Sequence, residues 1–208
     1  MNKKIIKAMF ANICAKDDTR PIMGGVHFEK ERCYATDGKL LVIFKEGSEK
    51  LADKTINLDG NEIEGRFPNV DGVMPSKGKE GNPLQIDFVQ LKNACAYHMK
   101  KLSSNQNDKV IINEVGFNIR CLFRLLSTVL TVSSPRGITF HIIDRGHAVK
   151  FTADQMEGLI MPCHYEEGDI DIEQEFGDIK TLSYENFIND YVFNSWKKET
   201  KTELAWAV

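Results

Sequence analysis

The residues that could do chemistry are scattered along the chain. Asp37, in Ala35-Thr36-Asp37-Gly38, could act as a general base or could hold the amides of its own turn. An aspartate before glycine, between two apolar runs, reads as the turn residue. Cys163 and His164 are sequence neighbours, so on a strand they point to opposite faces and make a poor thiolate pair. His27, His141 and His147 fall in strand-like runs and His98 lies beside an apolar helix stripe. Each reads as a packing or boundary residue rather than a ligand. Ser76-Lys77-Gly78-Lys79-Glu80-Gly81 has its glycines and lysines in the wrong order for a phosphate loop. There is no Gly-x-Ser-x-Gly elbow, no His-Glu-x-x-His pair and no dinucleotide fingerprint. Cys14, Cys33, Cys95, Cys121 and Cys163 are odd in number and widely spaced. They read as free thiols of a reducing cytoplasm, not as disulfides or zinc ligands. These residues point away from an enzyme and call for no metal and no cofactor.

Positive charge is better organised. Lys3, Lys4 and Lys7 decorate a first amphipathic segment, Lys92, Lys100 and Lys101 a second, and Arg120 and Arg124, four apart, a third. Each segment pairs an apolar side with a basic side. Such a face is either simply solvated or meets the phosphates of a duplex. The whole chain has a net charge of −3, but residues 1–165 are +4 and residues 166–208, with eleven acidic and four basic residues, are −7. A mildly basic body with an acidic tail permits nucleic-acid contact without requiring it.

Periodicity supplies the elements that position these residues. A helix is expected over Lys3–Ala15, with Ile5, Ile6, Met9, Phe10 and Ile13 on one stripe. Short strands follow around Val26–Phe28, at Cys33–Thr36 and Leu40–Phe44 about the Asp37-Gly38 turn, and at Lys54–Leu58. Residues 65–83, with three prolines and four glycines, form a connector. A helix over Asp87–Leu102, a strand over Val110–Val115 and a helix capped by Asn118 come next. Strands at Gly137–Ile143, His147–Thr152 and Met156–Met161 close the body. Segments 3–45 and 118–161 share one plan, a helix followed by several strands. An acidic stretch over 166–180 then leads to an amphipathic helix over Ser183–Trp196. Its aromatic stripe needs a partner surface, either the edge of the last body strand or another part of the sheet.

Composition fixes the class. Of 208 residues, 42% are hydrophobic and 27% charged, which excludes global disorder. No apolar run is longer than Leu40–Phe44, which is too short to span a bilayer, and MNKKIIKAMF lacks the apolar core of a secretory signal. A cytoplasmic protein with no membrane partner is expected.

Four segments, in order, resemble the bacterial sliding clamps, the beta subunits of replicative DNA polymerase. Asp18–Glu29 and Tyr34–Leu41 are similar to the clamp's middle lobe. Gly65-Arg-Phe-Pro-Asn-Val-Asp-Gly-Val-Met-Pro75 resembles the lead into its last lobe. Glu114–Asn118 with the following helix, and Gly158-Leu-Ile-Met-Pro-Cys-His-Tyr165, resemble that lobe's second half and C-terminus.

The resemblance implies an α+β fold of shortened clamp-like lobes, helices packed on antiparallel sheets, with a C-terminal helical extension. Residues 1–75 would be a first half and 76–165 a second, the two composing one lobe or two reduced ones, and 166–208 an acidic linker and helix. It also implies a processivity or tethering factor that touches duplex DNA through basic helix faces and can form a homo-oligomer. Replication proteins would dock in a hydrophobic groove at Met23, Thr36, Gly38, Leu40, Leu41, Pro75, Leu159, Ile160, Met161, Pro162 and Cys163. The alternative is a non-encircling interaction module on a reduced clamp fold.

Overall fold

The structure, a computed structural model, describes residues 2–17, 19–76, 78–79, 81–84, 86–101, 109–134, 137–166 and 169–171. The helix expected over 183–196 lies outside the described residues. Asn2 caps α1 (Lys3–Asn12), accepting from the Lys4 amide at 3.0 Å. Ile5, Ile6 and Met9 are buried on one stripe while Lys3, Lys4 and Lys7 are exposed. The helix stops at Asn12, short of Ala15, because the Ile13 and Cys14 amides both converge on the Met9 carbonyl. A 3-10 turn, Pro21–Gly24, leads into β1 (Val26–Phe28), β2 (Cys33–Thr36), β3 (Leu40–Phe44) and β4 (Lys54–Ile56). The last strand ends at Ile56, since Asn57 folds back to accept the Asp59 and Asn61 amides at 3.1 and 2.8 Å.

The expected connector ends in a strand of its own, β5 (Asn82–Leu84). Pro83 suits it because β5 is an edge strand, paired only with β8. Asp87 caps α2 (Phe88–Lys101) through the Val89 and Gln90 amides at 2.9 and 3.0 Å. The single strand expected over 110–115 is two, β6 (Lys109–Ile112) and β7 (Val115–Asn118). Asn113 and Glu114 both take positive φ, 48° and 62°, the backbone that a two-residue hairpin turn demands. Asn118 then caps α3 (Ile119–Val129) through the Arg120 and Cys121 amides. The strands β8 (Thr139–Ile142), β9 (Val149–Thr152) and β10 (Met156–Ile160) follow, and β11 (Ile170–Asp171) runs parallel to β6.

Eight strands form one sheet in the order β4-β1-β2-β3-β10-β9-β8-β5. Its centre is the antiparallel β3–β10 pair, in register from Met156↔Phe44 to Ile160↔Leu40. Outward from that seam, β2 and β1 on one side correspond to β9 and β8 on the other, the arrangement foreshadowed by the shared plan of 3–45 and 118–161. A β-carbon at Gly158 would run into the Leu41 carbonyl across the seam and into the Phe151 ring, so only glycine allows the strands to close there.

The three helices cover one face. Phe28, Phe44, Phe140 and Phe151 of the sheet pack there with Ile5, Met9, Phe88, Leu91 and Leu122 in a single continuous core. Each such phenylalanine contributes about 2 kcal/mol of transfer free energy. The opposite face holds a smaller cluster, in which Tyr34, Leu41, Ile43 and Leu159 lie under Phe67 and Val70 of the connector. With both faces covered, β2 and β3 are buried along their whole length rather than alternating.

Candidate partner groove and basic helix face

The β2–β3 turn is over-determined by hydrogen bonds. Asp37 Oδ1 accepts the Lys39 and Leu40 amides at 2.9 and 2.8 Å. Thr36 Oγ1 donates to the Leu40 carbonyl at 2.6 Å and accepts the Gly38 amide at 3.0 Å. Gly38 supplies the φ of +86° that closes the turn. The Met161 amide, just past β10, donates to the Lys39 carbonyl at 2.9 Å. The turn and the end of β10 are therefore one unit.

The connector forms the facing wall, held by Arg32. Its two terminal nitrogens meet the Asp71 carboxylate at 2.7 and 2.8 Å, and its Nε meets Glu29 at 2.6 Å. The guanidinium lies over the Tyr34 ring, and Tyr34 donates to Glu29 at 2.8 Å. The Arg32 hydrogen bonds hold the Glu29 and Asp71 carboxyls below their ordinary pKa. Burial and the Glu29 bond push the Tyr34 hydroxyl up.

Between turn and connector lies a cavity of about 170 Å³. Of the positions taken from the resemblance, Met23, Thr36, Gly38, Leu40, Leu41, Leu159 and Met161 line it. Ile160 does not: strand alternation turns it away from Leu159 into the helix-side core, where it is fully buried. Pro75 belongs instead to a neighbouring hollow with Met74, Ile143 and Ala148. Pro162 and Cys163 lead away from the cavity, and the Cys163 amide donates to the Gly116 carbonyl at 2.8 Å. Leu40 reaches the cavity but is only 1% exposed and belongs to the helix-side core.

The lining also includes residues absent from the expected set: Arg20, Lys39, Pro68, Asn69, Val70 and Val73. The run Phe67-Pro68-Asn69-Val70, apolar at both ends within a glycine-rich connector, was the sequence signal for Pro68, Asn69 and Val70. Val73 and Met161, 59% and 47% exposed, stand at the mouth. Arg20 and Lys39 put positive charge on the rim.

The chemistry of the other candidates is quiet. All five thiols are free. Burial pushes Cys14 and Cys33 up to about 12 and raises Cys95, Cys121 and Cys163, so none is poised as a thiolate. Among the described residues no group of three His, Cys, Asp or Glu could hold a metal ion. His147 meets Asp144 at 2.8 Å in an exposed turn.

The basic residues divide. Lys3, Lys4, Lys7, Lys100 and Arg120 are exposed on the helix layer, and Lys101 closes α2. Lys92 is half-buried over the Phe123 ring. Arg124 is committed to the body. Its Nε donates to the Asn12 carbonyl at 2.6 Å and a terminal nitrogen pairs with Asp37 Oδ2 at 2.9 Å. That engagement removes Arg124 from the set of surface cations.

No protein-family model and no curated protein matches the chain. Solved structures do. The DNA polymerase III beta chain of Streptococcus pneumoniae matches with a TM-score of 0.60 at 16% identity, over 79% of this chain and 64% of that one. A C. crescentus beta sliding clamp gives 0.59 at 15% identity, over 77% and 64%. The DNA polymerase III subunit beta of Pseudomonas aeruginosa gives 0.57 at 15%, over 77% and 64%. The fold is the α+β sliding-clamp fold in abbreviated form, and the chain spans about 64% of the length of these clamps. No helix among the described residues is long and apolar enough to cross a membrane.

Proposed function

Taking the sliding-clamp fold as the premise, we propose that the protein is a clamp-like processivity or tethering factor. It touches duplex DNA without reading its sequence and holds replication proteins through the groove at the β3–β10 seam. The groove is the observation that carries this proposal. Turn, connector and strand end converge on an apolar cavity of about 170 Å³, with Val73 and Met161 exposed at its mouth. That shape suits one aliphatic or aromatic anchor of a short peptide, and Arg20 and Lys39 suit a carboxylate beside it. On the helix layer, Lys3, Lys4, Lys7, Lys100 and Arg120 meet phosphates, which gives affinity without base readout. Residues 1–75 and 76–165 act as one composite body about the seam.

The engagement of Arg124 with Asp37 and Asn12, which takes it from the basic helix face, favours a second function, that of a non-encircling interaction module that regulates replication proteins. Duplex titration combined with light scattering separates the two. The clamp-like function predicts a mass of several chains on DNA. It also predicts binding that ignores sequence and falls by orders of magnitude between roughly 50 and 200 mM salt. A strict monomer that ignores duplex but binds a clamp-binding peptide passes to the module. A protein that binds neither refutes both.

A further inference from the structure

We infer that Arg124 is a positioning residue for the groove: from the helix layer it holds the carboxylate that shapes the β2–β3 turn. This rests on the groove function proposed above. The Asp37 carboxylate is divided between two tasks. Oδ1 takes the Lys39 and Leu40 amides, and Oδ2 faces the Arg124 guanidinium at 2.9 Å. The Asp37 side chain is only 12% exposed, so water is a poor substitute for the arginine.

Arg124 is itself fixed. Its Nε donates at 2.6 Å to the carbonyl of Asn12, the last residue of α1, one of the acceptors that a helix end leaves unsatisfied. The guanidinium is thus a strut with one end on α1 and the other on the turn. Thr36, Gly38, Lys39 and Leu40 form the cavity wall, so any swing of the Asp37 carboxylate moves that wall. Two acceptors in different directions require the planar fork of arginine, and a lysine ammonium cannot hold both in the same geometry. The neighbouring thiols Cys14 and Cys121 are buried and feel both charges, which places the pair against the core rather than in open solvent.

Arg124 therefore acts on peptide capture and not on DNA. The test uses the full chain and three readouts. These are hydrogen exchange at the Lys39 and Leu40 amides, anisotropy of a fluorescein-labelled peptide copied from the clamp-binding segment of a bacterial replicative polymerase, and binding of a labelled duplex of arbitrary sequence. Arg124→Ala should speed turn exchange and weaken the peptide about five- to tenfold, the size of an ordinary hydrogen bond's net contribution, because the peptide feels the lost pair only through the turn. Duplex affinity should stay within about twofold. Arg124→Lys should recover only part of the loss. Asp37→Asn, which keeps the side-chain shape, should move turn exchange and peptide affinity the same way and carries the test if Arg124→Ala fails to fold.

Unchanged turn exchange overturns the inference, and so does faster exchange with unchanged peptide affinity. A loss confined to duplex binding also overturns it and returns Arg124 to the phosphate face. A wild-type protein that binds no peptide overturns the groove function together with the inference; the exchange data then show separately whether Arg124 holds the turn.

Discussion

The two halves of the large sheet repeat one topology but finish their outer faces differently. On the β1–β2–β3 side the outward residues are aromatic and aliphatic: His27, Tyr34, Leu41 and Ile43, with the Phe67 ring of the connector tilted against His27 and edge-on to Tyr34 at centroid distances of 5.2 and 5.3 Å. On the β8–β9 side they are polar: His141 meets Thr152 at 3.2 Å, and Lys150 of β9 faces Glu157 of β10 at 3.8 Å. The helix-side faces do not differ in this way, because both halves feed one core. Architecture alone therefore does not make the groove. It arises where an apolar outer face recruits the connector and leaves the connector's own Val73 and the strand-end Met161 exposed at the mouth.

The largest effect should come from what the halves share. Phe151→Ala, in the helix-side core, should cost about 3–5 kcal/mol and lower both halves in a single urea transition followed by circular dichroism. Two separate transitions would show that the halves are independent bodies. Phe67→Ala should cost less, about 2 kcal/mol, but should abolish peptide capture. Thr152→Ala, on the outer face of the other half, should leave peptide affinity unchanged.

Acid should loosen the connector wall. Arg32 holds the folded pKa values of Glu29 and Asp71 below their ordinary positions. Their contribution to stability is thus complete above the unfolded carboxylate range, near about 4, and is lost as pH falls through the lowered folded values. Hydrogen exchange in residues 67–73 should rise below that range, and Arg32→Ala should remove the dependence. The smallest effect on stability belongs to the exposed lysines. Replacing Lys3, Lys4 and Lys7 by alanine should leave stability within about 0.5 kcal/mol of wild type. The salt slope of duplex binding should fall by about 0.9 for each phosphate no longer neutralised.

Much of this was legible because it is local. The Asp37-Gly38 hairpin, the Asn118 and Asp87 caps and the stripe of α3 are each encoded within a few residues, and all form as expected. The β6–β7 hairpin was hidden because its left-handed turn is built from Asn113 and Glu114, without the glycine that normally announces one. β5 was hidden because three residues including a proline carry no period. Seven of eleven groove positions line the cavity. Ile160 does not, because side alternation is fixed only by the register across the seam, a long-range fact. Arg124 looked like a surface cation because its partners, Asn12 and Asp37, lie far away in sequence. A charged residue at Leu40 would unfold the core, since that side chain is almost completely buried.

Met161 is the better probe of the groove. It is 47% exposed, so Met161→Asp should leave the melting temperature unchanged. The decisive measurement is an anisotropy titration of the polymerase-derived peptide against wild type and Met161→Asp. The account predicts saturable one-site binding by wild type and a loss of at least about tenfold in the variant. Equal binding by the two proteins, or no binding by wild type, would contradict it.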